Sequence, residues 1–200
     1  MSFFESNQIQ HLGLDLHAYR AATHWVKEME VAASARLRNL FNQHHWLPNE
    51  VYIGHSGGKD SVAITRLVDT ALPDHGMLIV HTPKPGEVVP ATVDFLYGLR
   101  RPVLYCPKEH HKGLGFKVQI DGTRRAEHSR TDGRSTNLVM DGNDVSRDHM
   151  PLYVKNGLFG LDFIFPIFDW TDEEVWAYIL TNEIPFSEEY LHALDRGPTR

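Results

Sequence analysis

The sequence predicts an α/β protein with a doubly wound, mainly parallel sheet. Three observations carry this. Short apolar runs alternate with helical periodicity along most of the chain. Those runs lack the alternation of a half-exposed strand, as expected when both sheet faces are covered. A glycine-rich turn, Ser56-Gly57-Gly58-Lys59-Asp60-Ser61, stands between one such run and the helix after it.

The elements follow in order. From Asp15 to about Phe41, Leu16, Tyr19, Ala22, Trp25, Val26, Met29, Ala32, Leu37, Leu40 and Phe41 recur at helical spacing, uninterrupted by Pro or Gly. Asn42-Gln43-His44-His45 and Pro48 then stop one long amphipathic helix. Glu50–Gly54 reads as the first strand. Val62, Ile64, Leu67, Val68 and Leu72 mark a helix that ends before Pro73. Met77–His81 is the second strand. A helix is expected over about Val89–Arg100, with Pro90 in its first turn. Further strands are expected at Pro102–Tyr105, Phe116–Ile120 and Asp162–Phe165. Thr171-Asp172-Glu173-Glu174 fits a capping box, and Val175, Trp176, Tyr178, Ile179 and Leu180 continue it as a helix that ends before Pro185. Gly122–Gly160 shows no clear period, and Lys108–Gly113 reads as a loop. The expected organisation is one structural domain, with a helical segment at 1–47 packed on an α/β core at 48–200.

Composition narrows the function. The chain has 200 residues, 42% hydrophobic, enough for one sizeable core. Lys plus Arg is 20 against 26 Asp plus Glu, a net charge of −6, which makes nucleic acid an unattractive partner. A single cysteine, Cys106, excludes an intrachain disulfide and a four-cysteine zinc or iron–sulfur site. No signal peptide or membrane-spanning run is visible, so a cytoplasmic protein is expected. The 13 histidines include no pair spaced as in a zinc protease helix, and most read as surface residues. His55 either touches a phosphate or packs beneath the loop.

The loop carries the strongest chemistry. Gly57 and Gly58 let the backbone turn tightly and approach a ligand, and the following helix aims free N–H groups at it. Ser56 and Ser61 add hydroxyls, Lys59 a point charge. A Walker A loop is excluded, because Ile53 stands where its first glycine belongs and Asp60 follows the lysine. Arg124, Arg125, Arg130 and Arg134 place four permanent positive charges on one loop after the Phe116–Ile120 strand, and guanidinium forks suit phosphate and sulfate oxygens.

The Ser56–Ser61 segment resembles the pyrophosphate-binding (PP) loop of the adenine-nucleotide α-hydrolase-like superfamily. Gly122-Thr123-Arg124-Arg125-Ala126-Glu127, followed by Arg130, is similar to the Gly-x-Arg-Arg-x-Glu segment of its phosphoadenosine phosphosulfate (PAPS) reductase and ATP sulfurylase small-subunit branch. Pro166–Thr171 with Val175–Ile179 is similar to that branch's late helix start. The resemblance spans roughly Val51 to Tyr190. It implies an adenine nucleotide, ATP or PAPS, at Ser56, Gly57, Gly58, Lys59, Asp60 and Ser61. His81 and Thr82 would lie near the adenosine, although His81 replaces the family's usual acidic residue there. Gly122, Arg124, Arg125, Glu127 and Arg130 would hold phosphates or an oxyanion, Glu127 either orienting an arginine or holding a metal-bound water.

The intact loop with Lys59 resembles the ATP-cleaving members, which attack the α-phosphate and release pyrophosphate. Lys59, Asp60, Arg124 and Arg125 are the implied catalytic residues, Mg²⁺ the implied ion, and Asp60 either its carboxylate link or a helix-start cap. The acceptor is open among sulfate, a nucleobase, a flavin precursor and a tRNA base. A PAPS reductase-like protein is the alternative, but Leu194–Arg200 carries none of the cysteine that such reductases use near the C-terminus. A non-catalytic nucleotide-binding module is the third reading. A second copy or a partner subunit is compatible with the long first helix.

Overall fold

The computed structural model describes residues 9, 12–73, 78–81, 101–106, 110, 112–125, 137–140, 143–146, 153–155 and 160–186. The expected helix at 89–100 lies outside them.

The first helix, α1 (Leu16–His44), starts at Asp15, whose carboxylate accepts from Ala18 N at 2.7 Å. It buries Tyr19, Ala22, Val26, Ala33, Leu37 and Phe41, a stripe at three- and four-residue steps. It runs past Phe41 to His44 and stops where His45 adopts a left-handed conformation and donates its N–H to Phe41 O at 2.9 Å. A short 3₁₀ turn at Pro48–Glu50 leads into β1 (Val51–His55). Helix α2 (Lys59–Ala71) follows the glycine loop directly and ends ahead of Pro73.

The remaining strands are β2 (Leu78–His81), β3 (Val103–Tyr105), β4 (Val118–Ile120), β5 (Asn137–Met140), β6 (Asn143–Ser146), β7 (Tyr153–Val154) and β8 (Asp162–Ile164). Helix α3 (Asp172–Thr181) closes the described fold, with the expected capping box. Glu174 N donates to Thr171 Oγ1 at 3.2 Å, and Thr171 N to Glu174 Oε2 at 2.7 Å.

Six strands form one sheet in the order β3-β2-β1-β4-β8-β7. Its first five are mutually parallel, and β7 runs antiparallel to β8. The expected α/β class with a mainly parallel sheet is therefore observed. Gly122–Gly160 differs from expectation: it contains β7 and the separate antiparallel β5–β6 pair. Strands of two to four residues are too short to display a period. The β5–β6 link was nevertheless legible. Met140 pairs with Asn143 across Asp141-Gly142, a dipeptide favoured in two-residue hairpins. Within Lys108–Gly113, a 3₁₀ turn spans Lys112–Leu114.

Alternation sends the two strand faces into different cores. Val51, Ile53, Val118, Ile120 and Ile164 join α1, α2 and α3 in the main core. Tyr52, Val80, Cys106, Phe116 and Leu161 cluster on their own. Helix α1 packs on both α3 and α2, and Tyr178 OH reaches the buried Glu30 Oε1 at 3.4 Å. No helix among the described residues is long and apolar enough to cross a membrane.

The strand order positions the site. Chain direction across the sheet reverses between β1 and β4, which pair side by side with Ile53 opposite Ile120. Their carboxyl ends meet at this reversal, the usual ligand position in an open parallel sheet.

Candidate nucleotide site

From β1 the chain passes through Ser56-Gly57-Gly58 into α2. Gly57 has φ of +84°, which a side chain would strain. The loop is held by its own side chains. Ser56 N donates to Ser61 Oγ at 3.1 Å, and the two hydroxyl oxygens lie 3.0 Å apart. Gly58 N donates to Ser56 Oγ at 3.3 Å. Gly57 N donates to His55 Nδ1 at 2.9 Å, and His55 is buried, so it fastens the loop from beneath. Helix α2 starts at Gly58, which has no side chain to cap it. Its first turn thus presents backbone N–H groups and the positive end of the helix dipole toward the carboxyl edge of the sheet.

From β4 the chain passes through Asp121-Gly122-Thr123 to Arg124 and Arg125. Gly122 lies tight against α2, where a Cβ would sit 3.0 Å from the Asp60 carbonyl carbon. Asp121 is tied on both oxygens: Thr123 N and Oγ1 donate to Oδ1 at 2.8 and 2.6 Å, and Gln119 Nε2 donates to Oδ2 at 2.6 Å. Gln119 accepts in turn from Tyr52 OH at 2.5 Å. Burial, together with the Asp121 charge, pushes the Tyr52 phenol far above its ordinary range, so it stays a neutral donor.

Arg124 is enclosed by partners within the protein. Its guanidinium is fully buried. Nε donates to Asp60 Oδ1 at 2.7 Å, Nη1 to Trp170 O at 3.2 Å and Nη2 to Asp172 Oδ1 at 2.7 Å. Lys59 Nζ lies 3.0 Å from Asp60 Oδ2 and 2.9 Å from Asp172 Oδ1. Two cations and two carboxylates thus join α2, the strand end after β4 and the start of α3. Burial alone would raise the Asp172 carboxyl. The Lys59 and Arg124 charges and hydrogen bonds outweigh it and hold the group below its ordinary value.

Arg125 is on the rim, about half exposed. It donates through Nη2 to Asp169 Oδ1 at 2.9 Å and lies 5.0 Å above the Phe168 ring. Among the described residues, no group of three or more His, Cys, Asp or Glu side chains is gathered as for a metal ion. The Asp60 carboxylate faces Lys59 and Arg124, a poor fit to direct Mg²⁺ ligation.

The structure therefore brings together Ser56, Gly57, Gly58, Lys59, Asp60, Ser61, Gly122 and Arg124, while the Arg125 side chain turns to Asp169 and Phe168. Only the backbone of His81 is described, at the end of β2, and Thr82, Glu127, Arg130 and Arg134 lie outside the described residues. Asp172, Asp121, Gln119 and Tyr52 were not expected at the site. Asp172 sits inside the Thr171–Glu174 capping box, so its ordinary reading was a helix-start acid. No local pattern marks the other three.

Residues 103–195 match the family model of the phosphoadenosine phosphosulfate reductase domain. The match covers just under half of the chain and does not include the loop after β1. Two curated adenosine 5′-phosphosulfate reductases of Neisseria meningitidis are 40% and 38% identical to it over 46 residues. That stretch is 23% of this chain, and the match spans 19% of the length of those relatives. Among solved structures, the chain resembles Candida glabrata FMN adenylyltransferase in complex with ATP, with a TM-score of 0.63 and 13% identity over 92% of this chain and 68% of that one. Yeast FAD synthetase in complex with FAD gives 0.59 and 12%, over 92% and 71%. At such identities the likeness concerns the fold.

Proposed function

We propose that this PP-loop protein binds ATP at Ser56–Ser61 and transfers its adenylyl group to a small-molecule acceptor, releasing pyrophosphate. The observation that carries the reading is the loop itself. Two serine hydroxyls and the uncapped first turn of α2 converge at the carboxyl end of β1, beside the end of β4. Such a constellation suits phosphate oxygens.

In this reaction an acceptor oxygen or nitrogen attacks the α-phosphorus. The bond from that phosphorus to the bridging oxygen breaks, and pyrophosphate leaves with the electron pair. The protein supplies position and charge balance. Ser56, Ser61 and the α2 N–H groups orient the phosphates, and Lys59 offsets the charge on the leaving group. Arg124 acts through Asp60, which it holds in place, and Arg125 offers a guanidinium at the rim. Any Mg²⁺ travels on the nucleotide's own oxygens. FMN and sulfate are the first acceptors to try, FMN because the fold neighbours named above act on flavins.

A second reading, a sulfonucleotide reductase-like protein, is favoured by the family match over residues 103–195. Its chemistry needs a reactive thiol. Cys106 is the chain's only cysteine and is buried at the end of β3 among Tyr52, Val80, Phe116 and Leu161. A thiol in apolar surroundings is a poor nucleophile.

Isothermal titration with ATP, a non-hydrolysable ATP analogue and PAPS, each with and without Mg²⁺, separates the readings. Metal-dependent ATP binding, followed by acceptor-dependent pyrophosphate release, is the expected result. Preference for PAPS without metal would replace it with the second reading. ATP bound but left intact with every acceptor would make the chain a binding module.

A further inference from the structure

At the base of the loop, Lys59, Asp60 and Arg124 have side chains only 10%, 16% and 1% exposed, whereas Asp172 is 36% exposed. Asp172 is therefore the member of this cluster that faces water. Its Oδ1 serves both cations, Lys59 Nζ at 2.9 Å and Arg124 Nη2 at 2.7 Å. The loop's lysine already has an anion on its solvent side, delivered by the first turn of α3.

We propose that Asp172 is a resident counter-ion, occupying beside Lys59 the place that a nucleotide phosphate takes on binding, so that the ammonium exchanges a carboxylate partner for a phosphate one. This inference rests on the phosphate-binding reading of the loop and assigns it an affinity-setting residue. A largely buried ammonium is costly without an anion, and Asp172 supplies one before any ligand arrives. Asp60 is unsuited to yield, because Arg124 holds both of its oxygens, through Nε at 2.7 Å and Nη2 at 3.5 Å, and its side chain is only 16% exposed. Asp172 can turn toward solvent at smaller cost. Phosphate then offers more charge and more acceptor oxygens to the same ammonium. With phosphate bound, the displaced carboxylate remains close as a like charge. Asp172 thereby keeps affinity moderate and helps pyrophosphate depart.

The test uses the full chain and inorganic pyrophosphate as the probe. Affinity is measured by calorimetry for the wild type, Asp172→Asn and Asp172→Ser, with folding checked by circular dichroism. Loss of the competing charge is expected to tighten pyrophosphate binding about tenfold in each folded variant. Adding Lys59→Met to Asp172→Asn is expected to abolish that gain, since the exchange passes through the ammonium. A purely structural tie between α3 and α2 predicts unchanged or weaker binding in the Asp172 variants, and that result overturns the proposal, as does a gain that survives without Lys59. If the wild type binds pyrophosphate and the Asp172 variants bind it no tighter, only this inference falls. If neither the wild type nor the variants bind pyrophosphate or ATP, the phosphate reading falls with it.

Discussion

Arg124 Nε donates to Asp60 Oδ1 at 2.7 Å, joining the strand end after β4 to the first turn of α2 across the switch point of the sheet. The pair lies beneath the candidate phosphate site. Arg124 thus meets the helix that carries the loop from inside the protein.

Arg124→Ala is expected to destabilise the fold as well as weaken nucleotide binding. It would leave two carboxylates beside the single cation Lys59 in a largely buried setting. Breaking a buried charge cluster from one side costs about 3–5 kcal/mol. Urea unfolding of the wild type, Arg124→Ala and Arg124→Lys checks this. An Arg124→Ala midpoint equal to that of the wild type would contradict it.

Ser56→Ala is expected to spare the fold and lower ATP affinity roughly fivefold. The substitution removes the hydroxyl that faces Ser61 Oγ and accepts from Gly58 N. One such loss is worth about 1 kcal/mol, and the exposed position leaves no buried orphan. Calorimetry with ATP and a thermal melt of the same sample read both halves of the expectation.

Gly54→Ala is expected to disturb the far side of the sheet. A Cβ there would lie 2.5 Å from Gln119 Nε2, the atom that donates to Asp121. Gln119 cannot swing away without releasing Asp121 or the Tyr52 hydroxyl. Overpacking of this kind costs about 1–3 kcal/mol. A lowered melting temperature, relieved by adding Gln119→Ala, is the expected pattern.

Acid stability carries a signature of Asp172. Its folded-state carboxyl lies below the ordinary value of 3.8. A depressed carboxylate contributes stability above its unfolded pKa and loses it as pH falls through the folded one. Wild-type stability is thus expected to fall more steeply than that of Asp172→Asn as pH is lowered below about 4. Denaturant midpoints recorded from pH 6 down to 2 measure the difference. Parallel curves would argue against an ionised Asp172 paired with Lys59 and Arg124.

Much of this protein was legible one segment at a time. The long α1, the strand–loop–helix at Val51–Ala71 and the Thr171 capping box are local events, set by periodicity, glycine conformations and side-chain caps. The family resemblance was legible for the same reason, because each motif is contiguous. The β5–β6 pair was obscured by strands too short to show a period, although Asp141-Gly142 marked their link.

Local sequence carries the α/β class, the loop and the charged residue types around it. Which of those charges meet depends on the packed chain. Arg124 and Asp172 are 48 residues apart, and chain order says nothing of their 2.7 Å contact. The parallel pairing of β1 with β4 brings Arg124 to Asp60, and the capped start of α3 brings Asp172 to both cations. A hydrogen-bonded ion pair needs its atoms within about 3 Å, so the partners of a buried side chain are a property of packing, and it is packing that sets Arg124 against Asp60 and Asp172.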